Sequence, residues 1–387
     1  MKELNEILKA HDIAVSQGRQ TALATLVHVE GSSYRKPGAR MLVDDEGNLT
    51  GAISGGCLEG DALTKALFVI AKQESKLVTY DTSNESDQSI GIQLGCEGII
   101  HVLFEPIDSS IPNNPIEIIR AAVCLEMCVI QTLFDLNNKT RKQIGTHAVY
   151  SKDKSRSLIR STSSQTEQFN NDVFETFQDQ VSKFISYHGQ DQSYQSFYEF
   201  LTKPIQLVIV GAGYDAIPLS KIATVLGWNT VVIDGRDAYA KQERFEPSCQ
   251  VLLMKPEKLL ETIHIDQRTA FVLVTHNYNY DKAVMKLLLP MHFPYLGMLG
   301  PRKKLNRMLD DLKSEGVLIT DDMMHKVYGP TGLDIGAETP EEIALSIISE
   351  IQSVFNHKKG QSLRNNDSSI HNKEINNFIL KKLLNEQ

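Results

Sequence analysis

Apolar and polar positions alternate differently along three stretches of the chain. Near the start, leucine, isoleucine and alanine recur at helical spacing over residues 3–17, and TALATLVHVEG then reads as a strand ending at Gly31. Two short strands follow at Arg40–Asp44 and Leu49–Ile53, joined by the turn DEGN. LEGDALTKALFVIAKQ over 58–73 fits a helix, Ile99–Phe104 fits another strand, and the first domain closes near Pro106.

Residues 107–200 are less regular. Glu117–Glu126 reads as helical, Met127–Asp135 and Thr146–Ser151 as strands, and 152–194 as polar and weakly patterned. A shift of 107 residues lays TLVHVEGSSYRKPGARMLV over TLFDLNNKTRKQIGTHAVY, matching Thr25 with Thr132, Leu26 with Leu133 and Gly38 with Gly145. The middle segment therefore reads as a degenerate extension of the first domain, without its SGGC, or as a chance likeness between two strand–turn–strand segments.

From Ile205 the texture changes again. An apolar strand, a glycine turn, a helix and a second strand run through IQLVIVGAGYDAIPLSKIATVLGWNTVVID, and strand-like runs recur at Gln250–Met254, Ala270–Thr275 and Tyr295–Leu299. Strands alternating with helices predict a doubly wound parallel sheet. The expected fold class is thus α/β: a C-terminal Rossmann domain over 201–356, an N-terminal α+β domain over 1–106, the segment 107–200, and a polar tail 357–387. Within the tail, NKEINNFILKKLLNEQ reads as a short helix.

Composition narrows the setting. The chain has 387 residues, 41% of them hydrophobic, with a formal charge of −8, enough for two or three globular cores. No apolar run approaches the roughly 20 residues that span a bilayer, and MKELNEILKAHDIA lacks a secretory core. Five cysteines, an odd number in a long chain, do not suggest a disulfide framework. We expect a cytoplasmic protein with neither nucleic acid nor membrane as partner. A homodimer is expected.

Gly211-x-Gly213-x-x-Ala216 follows a strand and opens a helix, and Asp234 ends the next strand. Gly211 allows a tight turn, Gly213 lets backbone approach a phosphate at the helix N-terminus, and Asp234 is placed to accept from a ribose hydroxyl. This marks a Rossmann domain. Asp215 inside the turn opposes a pyrophosphate, so NAD(P), another ligand or simple packing all remain open for the turn. His276 ends the strand-like run 270–275, where the doubly wound fold places its ligands, and is either an acid/base group or structural. Thr339, Pro340 and Glu342 form a capping box, whereas the preceding loop Gly332–Gly336 is less easily explained by packing.

ISGGCLEGD places Cys57 behind Gly55 and Gly56 where a helix begins. Free amides and the helix dipole there favour thiolate, while Glu59 and Asp61 oppose it. The two glycines leave room for a ligand against the Ser54–Gly56 backbone. Cys96 has similar surroundings in GIQLGCEGII, so the two cysteines suggest a shared sulfur-reactive pocket, or else two unrelated turn cysteines. Cys124 and Cys128 read as core residues, and no Cys-x-x-Cys pair with a nearby histidine supports a metal site. Between these elements, EGSSYRKPGARM offers Ser32, Arg35 and Lys36 to a phosphate or another oxyanion, or forms an ordinary solvated loop.

Together EGSSYRKPGARMLV, GAISGGCLEGD, LGCEG, LVIVGAGYDAIPLSKIATVLGW, VTHNYNYD, YLGMLGPRKK and GLDIGAETPEEIA resemble the xanthine dehydrogenase accessory factors of the XdhC/CoxI family. They run in the family's order, leaving roughly residues 107–195 and the tail unmatched; Ser33-Tyr34-Arg35 stands where many relatives have a proline before the arginine, and Glu97 where glycine is common. The resemblance implies a cofactor domain followed by a Rossmann domain. It also implies transient binding of molybdenum cofactor, help with its sulfuration by a cysteine desulfurase, and delivery to a molybdenum hydroxylase apoenzyme. On that reading the protein is a carrier or chaperone rather than a turnover enzyme. Arg35, Lys36 and the Ser54–Gly56 backbone address the phosphate, and Cys57 and Cys96 face the metal–sulfur end or relay sulfur. The alternatives are an NAD(P)-dependent oxidoreductase with His276 as acid/base, and a scaffold bridging desulfurase and apoenzyme.

Overall fold

The computed structural model describes residues 1–81, 98–139, 141–153, 157–159, 166–188, 193–365 and 378–382. The chain divides into two compact units, one of Met1–Lys203 with Ser368–Gln387, the other of Pro204–Asp367.

The first unit starts with α1 (Lys2–Ser16), β1 (Thr21–Gly31), β2 (Arg40–Asp44), β3 (Leu49–Gly51), α2 (Glu59–Lys72), β4 (Lys76–Asp81) and β5 (Gly98–Ile107). It continues with α3 (Pro115–Val123), β6 (Met127–Phe134), β7 (Gly145–Ser151), β8 (Leu158–Ile159), α4 (Thr166–Asp179), β9 (Lys183–His188) and β10 (Ser193–Thr202). The first five strands form a sheet in the order β3-β2-β1-β5-β4, and the next five repeat that order as β8-β7-β6-β10-β9. An offset of 107 residues carries α2 onto α4 and β4 onto β9 residue for residue. The unit is thus a duplicated α–β module. The polar stretch 152–194, weakly patterned in sequence, contains the second copy's α4 and β9.

Burial explains the weak pattern. Val27, Leu77 and Leu103 of the first sheet pack against Phe134, Phe184 and Phe197 of the second. The outer faces are covered by α2 over Ala22, Leu26, Val102 and Phe104, and by α4 over Val129, Ala148, Tyr187 and Tyr198. Strands sealed on both faces lose period-two patterning, and the four central residues of β9, Phe184 to Tyr187, are all buried.

A reciprocal contact joins the two copies. The guanidinium of Arg40 on β2, 1% exposed, pairs with Glu199 on β10, Nη1–Oε1 being 3.3 Å and Nη2–Oε2 2.5 Å. The equivalent acid of the first copy, Glu105 on β5, accepts from the amide and hydroxyl of Thr146, each at 2.7 Å. A Cβ on Gly38 would overlap Glu199, and one on Gly145 would overlap Glu105. The glycine shared at the 107-residue offset is therefore the place where each copy admits the other's carboxylate.

The second unit contains β11 (Gln206–Val210), α5 (Ala216–Leu226), β12 (Asn229–Asp234), β13 (Gln250–Leu253), α6 (Leu259–Thr262), β14 (Thr269–Leu273), α7 (Tyr278–Leu288), β15 (Tyr295–Met298), α8 (Arg302–Ser314), α9 (Asp321–Met324), β16 (Val327–Tyr328) and α10 (Pro340–Phe355). Every strand pairing is parallel, in the order β13-β12-β11-β14-β15-β16. This is the doubly wound Rossmann sheet, with its reversal of strand order between β11 and β14. One face packs on α5 and α10, the other on α7 and α8. The capping box of Thr339 and Glu342 is formed, with Pro340 at the first position of α10.

After the second unit the chain returns to the first. There β17 (Phe378–Lys382) adds in parallel outside β9. The tail reads as helical from its spacing, but the exposed backbone edge of β9 offers it hydrogen bonds that an isolated short helix lacks. No helix among the described residues is long and apolar enough to cross a membrane.

Candidate functional site

Two loops of the first unit converge. Residues 32–39 link β1 to β2, and 52–58 link β3 to α2. They touch where the Tyr34 ring lies over Gly55, so a Cβ there would sit 3.2 Å from the ring. Tyr34 is itself 71% exposed and presents a broad aromatic surface beside the glycine pair. Gly98, which opens β5, pairs with Gly31, and a Cβ on it would overlap the Ser32 carbonyl. Cys96 lies outside the described residues.

Cys57 precedes Leu58, the N-cap residue of α2, and carries a free, half-buried thiol. Gly56 beside it adopts φ +109°, a conformation that disfavours side chains, and a Cβ there would meet nothing within 4 Å. Among the described residues the amides of Gly55 and Cys57 have no hydrogen-bond partner. Ser54 is committed: its amide and hydroxyl donate to the Glu59 carboxylate, while its oxygen accepts from Leu58 and Gly56. Burial by itself would raise the Glu59 pKa, but the hydrogen bonds from Ser54 and Leu58 hold it below the usual carboxylate range. This acid thus occupies the positive end of α2.

The cations divide likewise. Arg35 forms an ion pair with Glu3 of α1, whose other oxygen accepts from the Arg40 amide at 3.0 Å. Lys36 is exposed and its ammonium has no partner among the described residues, and Ser32 is exposed. At the loop base, Glu30 accepts from His101 Nε2 at 2.8 Å, and His101 Nδ1 meets Thr79 Oγ1 at 2.9 Å. His28 stacks on His101 with centroids 5.7 Å apart. Burial, then the neighbouring His101, lowers the His28 pKa to about 4, so both rings stay neutral near pH 7.

Cys124 does not join the core. It is the C-cap of α3 and exposed, because the chain turns outward there, whereas Cys128 is buried with its pKa pushed up to about 12 by desolvation.

In the second unit, Gly211 has φ +115°, and a Cβ would lie 2.6 Å from the Thr275 amide and the Val274 carbonyl carbon. Contact with the end of β14 therefore requires this glycine. Gly213 differs: a Cβ there meets nothing within 4 Å. Asp215, the N-cap residue of α5, pairs with His276 Nε2 at 2.7 Å across the point where strand order reverses. His276 adopts φ +56°, a strained conformation for a side-chain-bearing residue, and its side chain is 66% exposed. Asp234 has little left for a ribose. Its oxygens accept from Ala212 N at 2.8 Å and from Arg236 N, Nε and Nη2 at 2.8, 2.9 and 2.7 Å. Burial opposes ionisation of Asp234, but Arg236 and the Ala212 amide outweigh it and lower the pKa. Arg236 stacks on Tyr239 at 4.0 Å, and Arg244, 5.2 Å from that ring, donates to the Ala212 carbonyl at 2.6 Å. Spacing alone does not mark these arginines as site residues, although Arg236 stands two positions beyond Asp234.

The architecture agrees with what similar proteins show. Residues 14–81 match the model of the XdhC and CoxI family, and residues 207–351 match the XdhC Rossmann domain. A Bacillus subtilis protein described as a probable xanthine dehydrogenase subunit is 31% identical over 340 residues, 88% of this chain and 94% of the relative. The chain belongs to the XdhC and CoxI family. Within this family, the matched segment 14–81 carries Ser32, Arg35, Lys36 and the Ser54–Cys57 loop, and 207–351 carries Gly211, Gly213, Asp215, Asp234 and His276. The molybdenum cofactor insertion chaperone PaoD of Escherichia coli is 22% identical over 352 residues, 90% of this XdhC-type chain and 88% of the relative. Among solved structures, a xanthine dehydrogenase from Bacillus halodurans superposes with TM-score 0.73 at 26% identity, covering 92% of this chain and 98% of that one.

Proposed function

We propose that the chain is a maturation factor for a molybdenum hydroxylase of the xanthine or carbon monoxide dehydrogenase type. It holds molybdenum cofactor as cargo, aids its sulfuration by a cysteine desulfurase, and delivers it to the apoenzyme. The observation that carries this reading is the convergence of the two loops around the accessible Cys57 thiol, with Tyr34 against Gly55. The names of the Bacillus subtilis relative and of the PaoD chaperone support the choice of client class.

The cargo combines an anionic phosphate with a sulfur-ligated metal, and the local donors suit both ends. Lys36 and the amides of Gly55 and Cys57 are available to an anion. The Cys57 thiol is a soft ligand for a metal or for transferable sulfur. Arg35 and Ser54, tied to Glu3 and Glu59, shape the loops and reach the cargo only by giving up those partners. Cys96 is assigned the partner role to Cys57 on its sequence position.

Purification from a cofactor-producing host, followed by fluorescence of oxidised pterin, tests this. Pterin should copurify with wild type and fall at least tenfold with folded Cys57→Ser. Undiminished pterin together with full client maturation removes Cys57 from the site.

The Asp215–His276 pair favours a second reading, an NAD(P)-dependent oxidoreductase in which His276 moves a proton. Engagement of Asp234 by Arg236 weighs against it. Titration with NADPH separates the two: micromolar binding with turnover of a small carbonyl compound supports the oxidoreductase, and its absence supports the carrier.

A further inference from the structure

The contacts of β17 are too selective for a sheet edge that takes any strand. β17 is five residues long and runs in register with β9 from Phe378 opposite Phe184 to Lys382 opposite His188. Separate clusters receive its two faces. On one, the Phe378 ring centroid lies 4.3 Å from His28, 5.8 Å from Phe184 and 6.4 Å from Phe134. On the other, Lys381 pairs with Asp172 and, at 3.3 Å, with Glu175, both on α4.

Asp172 is 1% exposed and also accepts from the Tyr187 hydroxyl. Among the described residues Lys381 is the cation paired with it. A buried carboxylate stripped of its counter-ion is costly. Ile379 and Leu380, 43% and 72% exposed, add little. Recognition therefore rests on two side chains three positions apart.

We propose that the β9 edge is a strand-docking groove that reads Phe-x-x-Lys, and that residues 378–382 of the same chain are its tethered, exchangeable occupant. Backbone pairing supplies affinity and the two clusters supply specificity, as in other strand-addition sites. A single five-residue edge strand is marginal by itself. Belonging to the same chain as the groove makes its docking intramolecular, with a local concentration of roughly the millimolar range. The tail is thus held by its tether and open to competition from any extended segment with the same two residues.

The test uses the full chain. Wild type is compared with the Phe378→Ala, Lys381→Glu double variant, each titrated by fluorescence anisotropy with a labelled peptide of residues 376–384. The variant should bind the peptide at least tenfold tighter than wild type, whose groove is filled, and a peptide carrying the same two substitutions should bind neither. Equal affinity of both proteins, or of both peptides, overturns the proposal. Amide exchange supplies an independent reading: protection of 183–188 in wild type should fall in the variant, and unchanged protection also overturns it. Wild-type dimers dissolved by excess peptide would place a second copy's tail in the groove and refute the same-chain assignment.

Discussion

Removing Glu199 isolates a buried cation, and the size of the effect follows from its surroundings. Arg40 is 1% exposed; its guanidinium meets both Glu199 oxygens and the Gly38 carbonyl at 2.9 Å, and its Nε has no partner among the described residues. Burial disfavours the charged guanidinium, and the Glu199 carboxylate more than offsets this, so the Arg40 pKa is raised. Glu199→Ala leaves that charge in place without its acid. Breaking a buried pair from one side costs about 3–5 kcal/mol. For a unit of this size each kcal/mol lowers the midpoint by about 2–4 °C, so the first unit should melt roughly 6–20 °C earlier. Amide exchange of β1 and β5 follows that unit. Trp228, the one tryptophan in the sequence, lies in the second unit and should report an unchanged transition by fluorescence. A Glu199→Met, Arg40→Met double variant removes both charges and should recover to within about 2 kcal/mol of wild type. A loss under about 1 kcal/mol for Glu199→Ala, or a double variant no better than the single one, refutes the claim that this charge pair clasps the two copies.

The His28 pKa falls from 6.5 to about 4 on folding, so the unfolded chain takes up the proton first. The His28 contribution to the stability of the first unit is therefore full above pH 6.5 and declines as pH falls towards 4, by about 3 kcal/mol; urea midpoints should show a slope of this sign, reduced in His28→Phe. Gly211→Ala combines φ +115° with a 2.6 Å approach to β14 and should destabilise the second unit by about 2 kcal/mol or more. Gly213→Ala, whose Cβ meets nothing within 4 Å, should change stability by less than about 0.5 kcal/mol, so comparable losses in Trp228 fluorescence melts would contradict the packing account.

How much is legible in the sequence varies with how local the cause is. The second unit can be read because parallel strands buried on both faces are continuous apolar runs, and its glycine turn and Thr339–Glu342 cap are short-range signals. The second copy in the first unit is nearly silent. Its α4 and β9 contribute Phe169 and Tyr187 to a core completed by Val129, Ala148 and Tyr198, so their meaning depends on other strands, two of them well upstream in sequence. The tail reads as a helix, not a strand, because its edge-strand partner, β9, lies nearly two hundred residues earlier.

The candidate site divides in the same way. Glycines beside a cysteine at a helix start are visible in ISGGCLEGD, since they answer to local backbone geometry. That Arg35 belongs to Glu3, Ser54 to Glu59 and Asp234 to Arg236 is not visible, because a charged side chain is available only when nothing nearer has claimed it. The amino-acid order alone thus determined the family and the Rossmann sheet, whose signals span a few turns of chain. Tertiary structure decided the duplication, the carboxylate clasps at Gly38 and Gly145, and which donors remain free, since each depends on electrostatic or steric contacts between residues distant in sequence.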